Sequence, residues 1–257
     1  GLRRAGGVNA LPIPTRRDEA WRYSDLEALG EVWPAGVQSE TIAVPAGETR
    51  ALTLVADAAQ PVSVRDWTVT IADGARLDLH ILNLGGRYGR VALDVTLGEG
   101  SHFELGAAQV AGGKATLEIV THVRHAAPGA TSRQTVRTVL AQQATGTYLG
   151  KVAVDRGAQK TDAAQSVKAM LLDRTATANA KPELEIFADD VKCAHGATVG
   201  ELDATQYFYL TSRGLPPAEA KRLLLQAFLA DAFAGMDDAG ARETLEAAAL
   251  AALERLA

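Results

Sequence analysis

Cys193 and His195 are the two side chains of this sequence whose types and spacing best suit chemistry. They are two residues apart, so in an extended segment both point to the same side of the strand. A thiolate and an imidazole held side by side are good ligands for soft or borderline metal ions. A tetrahedral site needs about four ligands, so a site built here has to be shared with another chain or left open. The alternative is that Cys193, the one cysteine, is a small buried hydrophobe.

The other histidines give a weaker signal for a metal site. His122 and His125 are three residues apart near the end of a predicted strand, so they should point to opposite faces. His80 and His102 stand singly in alternating runs, where a surface histidine or one with a satisfied hydrogen bond is expected. Zinc sites require three or four converging ligands, and neither set supplies them.

Nucleotide chemistry is not supported by any complete motif. Two segments come near the phosphate-binding pattern G-x-x-x-x-G-K-[ST], which needs its glycines and its final hydroxyl to hold phosphate and magnesium. Around Gly113 those positions hold Ala108 and Ala115, and around Gly150 the same two positions also differ. A G-x-S-x-G nucleophile motif is missing as well. We therefore expect no ATP hydrolysis and no catalytic residues, so that the chain is not an enzyme.

Composition sets the broad class of protein. Of the 257 residues, 47% are hydrophobic and 22% charged, which is enough apolar material for a sizeable core. A net charge of −5 predicts no nucleic-acid partner, and no apolar run approaches the roughly 18 residues of a membrane span. Without a secretory signal and with a single cysteine, a cytoplasmic location is expected. The chain begins at Gly1 rather than Met, which predicts a processed or truncated start.

The middle of the chain, residues 51–200, is predicted to consist of β-strands. Leu77, Leu79 and Ile81 alternate with polar residues and share a face, and residues 90–97 and 115–123 repeat the pattern. Turn glycines at positions 74, 100 and 129, each followed by a small residue and a strand, are spaced 26 and then 29 residues apart. One such unit every 25–30 residues suggests the stacked coils of a β-solenoid. A β-sandwich fits the pattern almost as well, although the lack of Asn-Gly hairpin turns favours the solenoid.

Helices are predicted at both ends of the chain, which divides it into residues 1–50, 51–200 and 201–257. A short N-terminal helix over residues 11–32 is expected to begin at Thr15, with Asp18 in a capping-box-like position.

Three helices are expected in the C-terminal segment. Asp203 can cap one that Gly214 ends, Pro217 suits the first turn of the next, and a last one follows over residues 240–256. They either only cap the strands or form a docking surface for a partner.

Two sequence segments carry a resemblance to a known family. The segment VKCAHGATVGELD, followed by a tyrosine-rich helix and SRGLPPAEAKRLLLQAF, resembles the C-terminal signature of the SufB/SufD family. The N-terminal segment PTRRDEAWRYSDL resembles the SufD rather than the SufB branch, and the single cysteine also argues against SufB. The resemblance implies a mainly β fold: a right-handed parallel β-helix with a short N-terminal helix and a C-terminal helical subdomain.

The same resemblance implies a function and partners. Family members work in the SUF system, where SufB, SufD and the ABC-type ATPase SufC form a complex that builds iron–sulfur clusters. The expected role is a non-catalytic scaffold subunit that pairs with a SufB-like subunit, or with itself as a dimer. The resemblance places His195, with Cys193 beside it, at that interface, where iron or a cluster is held transiently and no cofactor is bound tightly by this chain alone. The expected contacts with SufC involve the following residues: Pro216, Pro217, Leu224, Leu225 and Phe228.

Two other functions remain open at this point. A β-helix enzyme acting on polysaccharide would need a groove rich in Asp and Arg; Arg133 and Arg137 share a strand side, but no aligned acidic set accompanies them. The chain could also be a purely structural β-helix dimer whose Cys193 and His195 are buried and inert.

Overall fold

The computed structural model describes residues 12–256, in which twelve β-strands alternate between two six-stranded sheets. The odd-numbered strands form one sheet: β1 Val37–Val44, β3 Val62–Ile71, β5 Tyr88–Leu97, β7 Thr116–His125, β9 Thr145–Val154 and β11 Thr177–Ile186. The even-numbered strands form the other: β2 Thr49–Ala56, β4 Arg76–Asn83, β6 His102–Ala111, β8 Thr131–Leu140, β10 Asp162–Leu171 and β12 Lys192–Gly200. Neighbouring strands in both sheets pair in parallel. The chain is thus a parallel β-solenoid of about six coils, and the β-sandwich alternative is wrong.

The alternation of side chains explains why these segments become strands. Leu77, Leu79 and Ile81 of β4 are fully buried between the two sheets. Val91 and Val95 of β5 face them from the other sheet and are buried as well. Because alternate residues of a strand point to opposite faces, each coil contributes two such rows to one continuous apolar core. The first strand begins at Val37, nearer the N-terminus than residue 51, where the sequence pattern placed the start of the strands.

The repeat of turn glycines matches the register of the coils. Arg76 pairs with His102, and His102 with Thr131, so successive coils are offset by the same 26 and 29 residues as the glycines. Gly74, Gly100 and Gly129 all have φ between +61° and +70°. The N–H of each donates to a carbonyl of the next coil, at 2.7, 2.9 and 2.8 Å respectively. The glycines therefore form a column of left-handed turn residues that stacks along the solenoid, since glycine takes this conformation at the least cost.

The N-terminal segment does not form one continuous helix, in contrast to the sequence prediction for residues 11–32, of which Leu11 lies outside the described residues. It contains a 3-10 helix, Glu19–Trp21, and a short helix α1, Leu26–Gly30, capped by the Asp25 carboxylate. Asp18 accepts a hydrogen bond from the Thr15 backbone N–H at 2.7 Å, but it closes a turn instead of starting an α-helix. The reason is tertiary, because side chains of this segment bind to groups on the odd sheet.

A buried ionic cluster makes that attachment. Glu118 Oε2 accepts hydrogen bonds from Ser24 Oγ, Tyr88 Oη and Arg90 Nη1, each at 2.8 Å. The Arg90 guanidinium also stacks on the Trp21 ring, 3.8 Å from its centroid. Arg90 and Glu118 are almost completely buried, and such a pair is stable only when its remaining polar atoms find partners. The Trp21 and Ser24 side chains supply part of that environment, which gives the tryptophan of the N-terminal motif a physical role.

A second ionic contact continues the attachment to the end of the solenoid. Lys181 on β11 contacts Glu19, while α1 packs Leu29 against the side chains of Val62 and Val64 on β3. The N-terminal segment therefore crosses the outer face of the odd sheet from its last strand towards its first.

The C-terminal helices cover the outer face of the even sheet. They are α2, Ala204–Ser212; α3, Pro217–Ala230, followed by a 3-10 helix, Asp231–Phe233; and α4, Ala239–Glu254. Gly106 on β6 allows their close approach, because a Cβ atom there would lie 2.0 Å from the Ala232 carbonyl oxygen. The buried Arg137 of β8 donates to Asp231 at 2.8 Å and to the Ser166 carbonyl, and so fixes the helices to two coils. Within residues 12–256 no helix is long and apolar enough to span a membrane.

The glycine column predicts a specific loss of stability. Gly100→Ala should lower the free energy of unfolding by about 1–2 kcal/mol, the cost of a left-handed conformation for a residue with a Cβ atom. No atom lies within 4 Å of that added Cβ, so steric contact does not contribute. Urea-induced unfolding measures the difference. Gly157→Ala is the matched control, since that turn glycine is equally open but lacks a positive φ; equal effects of the two substitutions would contradict the interpretation.

The buried cluster predicts a larger loss. Arg90→Met should lower the free energy of unfolding by about 3–5 kcal/mol, because the Glu118 charge would remain buried without its partner. Arg124→Met removes an exposed arginine that binds Asp155 with two nitrogens and should cost about 1 kcal/mol or less. Chemical denaturation of both variants tests the ranking. A small effect for Arg90→Met would show that the N-terminal segment is held by other contacts.

Candidate functional site

The site lies at the C-terminal end of the solenoid, where the two sheets finish in strands that no further coil covers. In the described part of the chain, β12 pairs with β10 alone and β11 with β9 alone. Nearly every residue of these last two strands is partly or fully exposed. An uncovered strand edge presents unpaired backbone groups that can pair with another chain. Ile186, Phe187 and Val199 add exposed apolar surface to this end.

Cys193 and His195 both lie on β12 and are stacked on interior residues of the preceding coil. Cys193 is the register partner of Ala163 on β10, and His195 is the partner of Gln165. Ala163 and Gln165 face the interior and are only 1% and 3% exposed. The two candidate ligands therefore continue rows of interior side chains, but they do so on the last coil, where the interior opens to solvent.

The two side chains differ in environment. Cys193 is half-buried and packs against the core, whereas His195 is exposed. Burial raises the pKa of the Cys193 thiol, and the nearby Asp162 carboxylate raises it further. A thiol with a raised pKa is mostly protonated near neutral pH and is a poor nucleophile, so the pair is better suited to sharing a metal ion, which displaces the proton, than to covalent catalysis.

A complete metal site is not present within the described part of the chain. Among residues 12–256 no group of three or more His, Cys, Asp or Glu side chains converges on a point. Cys193 and His195 are of the right chemical types for iron or an iron–sulfur cluster, but two ligands are too few. Any such cargo would require ligands from a second chain placed over the open end.

Beneath His195 the interior of the solenoid is polar, a feature that the sequence pattern did not reveal. Gln165 Nε2 donates to Tyr148 Oη at 3.0 Å, which donates to Gln134 Oε1 at 3.1 Å. Gln134 Oε1 also accepts from Thr121 Oγ1 at 2.8 Å. All four side chains are buried, and burial raises the pKa of Tyr148 to about 12. A polar network of this kind specifies one arrangement when its members are paired.

The same interior row is apolar in earlier coils. The row that holds Gln134 and Gln165 is occupied by Leu79 on β4 and Leu105 on β6. The interior thus changes from apolar to polar towards the open end. A sequence signal existed, since glutamines stand at core positions of the alternating strands, but polar residues at such positions are usually interpreted as outward-facing.

The remaining histidines lie away from the open end. His125 is fully buried, its Nε2 lies 2.9 Å from Ser132 Oγ, and burial lowers its pKa to about 4. His122 is exposed beside Asp94. The predicted opposite orientation of the two is therefore confirmed.

The helices after β12 present a second exposed surface. Helix α2 begins at Ala204, soon after β12 ends, and none of its residues is buried. Phe208 and Tyr209 are 71% and 57% exposed, and Leu223 of α3 is also exposed. These residues were missed in the sequence analysis, although three consecutive aromatic residues in one short helix were a usable signal.

The residues predicted to contact an ATPase occupy different environments. Pro216 and Pro217 are exposed, and Leu224 and Phe228 are half-buried, so all four are accessible on this surface. Leu225 is only 5% exposed because it packs α3 against the even sheet. Leu225 therefore belongs to the core that holds the helix in place and offers little surface to a partner.

Comparison with known proteins identifies the family. A family model described as "SUF system FeS cluster assembly, SufBD core domain" matches residues 35–228. That range is well over half of the chain and contains the strands, the candidate site and α2. The chain belongs to the SufB/SufD family. The family expected from the two sequence motifs is thereby confirmed.

Individual relatives agree with this assignment. The chain is 32% identical over 174 residues to the "Iron-sulfur cluster assembly protein SufD" of Escherichia coli, covering 67% of this chain and 41% of that protein. It is 36% identical over 164 residues to an iron–sulfur cluster assembly SufBD family protein of Synechocystis, covering 63% and 36%. The SufD protein of Bacillus subtilis is 32% identical over 133 residues, covering 52% and 30%. The chain thus spans less than half the length of these SufB/SufD relatives.

The environment of Cys193 predicts slow alkylation. Because its pKa is raised, the folded protein should react with iodoacetamide at pH 8 several-fold more slowly than the urea-unfolded chain, and the rate should rise steeply with pH. Mass spectrometry of quenched samples measures the rate at the single cysteine. Gln165→Met and other variants at interior positions, if they remain folded, must show the same difference between the alkylation rates of the folded and the unfolded chain. A folded rate above the unfolded one would mean that Cys193 is an activated thiolate instead.

Proposed function

We propose that this chain is a non-catalytic scaffold subunit of a SUF complex, in which it contributes His195, with Cys193 beside it, to an iron or iron–sulfur cluster site shared with a SufB-like subunit. The observation that carries the proposal is the position of these two ligands. They continue the interior rows of the solenoid onto a coil that no further coil covers within residues 12–256, and they are two ligands short of a complete site. Membership of the SufB/SufD family supports the nature of the cargo.

The open end also suits the proposed partner. Its edge strands offer unpaired backbone groups, and Phe187, 59% exposed, adds apolar surface beside them. Another β-solenoid could extend the sheets across this edge, which would bury the apolar residues and bring further ligands to His195. A SufB-like subunit is the proposed occupant, and a second copy of this chain is the expected one when the subunit is isolated.

The exposed surface of α2 and α3 is proposed to dock a SufC-like ABC-type ATPase. Phe208 and Tyr209 are large exposed aromatic residues, the type that dominates binding energy at protein interfaces. The far end of α3 is fixed to the solenoid through Arg137 and Asp231, whereas α2 follows directly on the strand that carries His195. The chain itself carries no complete phosphate-binding loop, so ATP hydrolysis is assigned to the partner.

The structure offers little support for a polysaccharide-acting enzyme. Arg137 is buried and bonded to Asp231 and Ser166, and Arg133 is engaged by Asp162 and a backbone carbonyl. The C-terminal helices lie over much of this outer face, so the two arginines do not line an open groove. No specific observation favours an inert structural dimer either, because His195 is exposed at the open end.

Anaerobic co-expression with SufB-like and SufC-like partners tests the shared site. His195→Ala should leave the complex intact but lower its iron and acid-labile sulfide at least several-fold, because one ligand is lost while the interface surface remains. His122→Ala is the matched control, since that histidine is exposed on an outer face. Unchanged iron and sulfide in His195→Ala would remove the site assignment and leave only the scaffold role.

Co-purification of the same complex tests the helical surface. Phe208→Glu should weaken retention of the ATPase at least tenfold, because it places a charge in the proposed apolar contact. Val55→Glu makes the same change at an exposed valine near the other end of the solenoid and should retain the ATPase. Point substitutions are preferable to deletion of the helices, which cover part of the core. Equal retention by both variants would place the ATPase elsewhere.

A further inference from the structure

Two side-chain atoms of the interior polar network are buried without a hydrogen-bond partner among the described residues, Gln134 Nε2 and Gln165 Oε1. Gln165 is the one that lies directly beneath the proposed site. Gln165 is 3% exposed, and its Oε1 is buried without a hydrogen bond from any described residue. An unpaired buried carbonyl oxygen is destabilising, so such an atom in a folded protein calls for an explanation.

The orientation of the Gln165 amide follows from its neighbours. Tyr148 Oη has one proton, which it donates to Gln134 Oε1, so it can only accept from Gln165. In this arrangement the amide nitrogen of Gln165 faces Tyr148, and Oε1 is the group without a partner. Gln134, the register partner of Gln165 on β8, carries an unpaired Nε2, but that group makes no hydrogen bond to Gln165 in the structure. The network thus holds Gln165 Oε1 as an acceptor without a donor.

His195 is the side chain placed to supply that donor. It is the register partner of Gln165 on the next strand, and in-register parallel neighbours stack on the same face. The adjacent inward positions of β10 hold Ala163 and Val167, which have no side-chain donor. Among the interior-facing residues of β12, His195 alone carries a ring N–H, and its register places it on the row of Gln165.

We propose that Gln165 is a positioning residue for His195: when a partner covers the open end, Gln165 Oε1 accepts the N–H of one ring nitrogen and leaves the other nitrogen free to bind metal. Histidines that ligate metals commonly donate their other ring N–H to a carbonyl or carboxylate, which fixes the tautomer and the ring orientation. Gln165, Tyr148, Gln134 and Thr121 then serve as the fixed support of a ligand that is exposed in the uncovered chain. This inference rests on the proposed shared site.

Cobalt(II) binding by the purified complex with SufB-like and SufC-like partners tests the proposal, with Co²⁺ alone as the probe and its d–d absorption as the readout. Gln165→Met, close in shape but without an acceptor, should weaken Co²⁺ binding about 10–100-fold. Gln165→Glu, which retains an acceptor oxygen, should stay within a few-fold of wild type. Gln109→Met is the matched control, since Gln109 is also a fully buried glutamine with an unpaired Oε1 but faces Thr138 and the Thr147 carbonyl.

The outcomes separate this inference from the function on which it rests. If His195→Ala does not change Co²⁺ binding, the shared site itself is wrong. If His195→Ala weakens binding and Gln165→Met does not, the site stands and the positioning role is overturned. Equal losses in Gln165→Met and Gln165→Glu would also overturn it, because shape rather than the acceptor would then matter.

A measurement on the wild-type complex decides the case in which Gln165→Met does not assemble. With ¹⁵N-histidine in this chain alone, the ring nitrogens of His195 report its tautomer, and the signal is assigned by its loss in His195→Ala. A single tautomer with one protected N–H is expected. A mixture of tautomers with fast-exchanging N–H groups, as in a solvated imidazole, would overturn the proposal.

Discussion

The structure depends on the parallel hydrogen bonding between successive coils. Each strand satisfies its backbone groups only by pairing with strands of the coils before and after it, and the turn column does the same through the N–H groups of Gly74, Gly100 and Gly129. A coil is therefore stable only within the stack. The same constraint creates the candidate site, because among the described residues the last coil has a neighbouring coil on one side only, which leaves β12 and its inward-facing residues uncovered.

The remaining elements brace this stack from outside. The N-terminal segment crosses the odd sheet and is held where Arg90 and Glu118 form a buried pair, while the C-terminal helices cover the even sheet and are held by Arg137 and Asp231. Both anchors are arginines that span coils, which suits a planar group with five donors. At the open end, Glu19 of the N-terminal segment contacts Lys181 on β11.

The change from an apolar to a polar interior links the fold to the site. Early coils are filled with leucine, whose packing gives stability without specifying a chemical role. The last coils hold a tyrosine, two glutamines and a threonine in one hydrogen-bonded row that ends beneath His195. Such a row fixes side-chain directions more tightly than apolar packing does. A half-site for a metal ion requires fixed side-chain directions in the residues that support its ligand.

The sequence by itself determined the local features. Alternation predicted the strands, and the spacing of turn glycines predicted the coil length. Asp203 and Gly214 predicted the limits of α2, and two motifs indicated the SufB/SufD family. All these signals are local, because backbone conformation and motif order depend on neighbouring residues. Only the tertiary structure decided that Leu225 is core, that residues 11–32 do not form one helix, and that Gln165 lies beneath His195. Each of these depends on which surfaces meet between strands about 30 residues apart in the sequence. The register of the coils decides which surfaces meet, and packing over the whole stack sets that register.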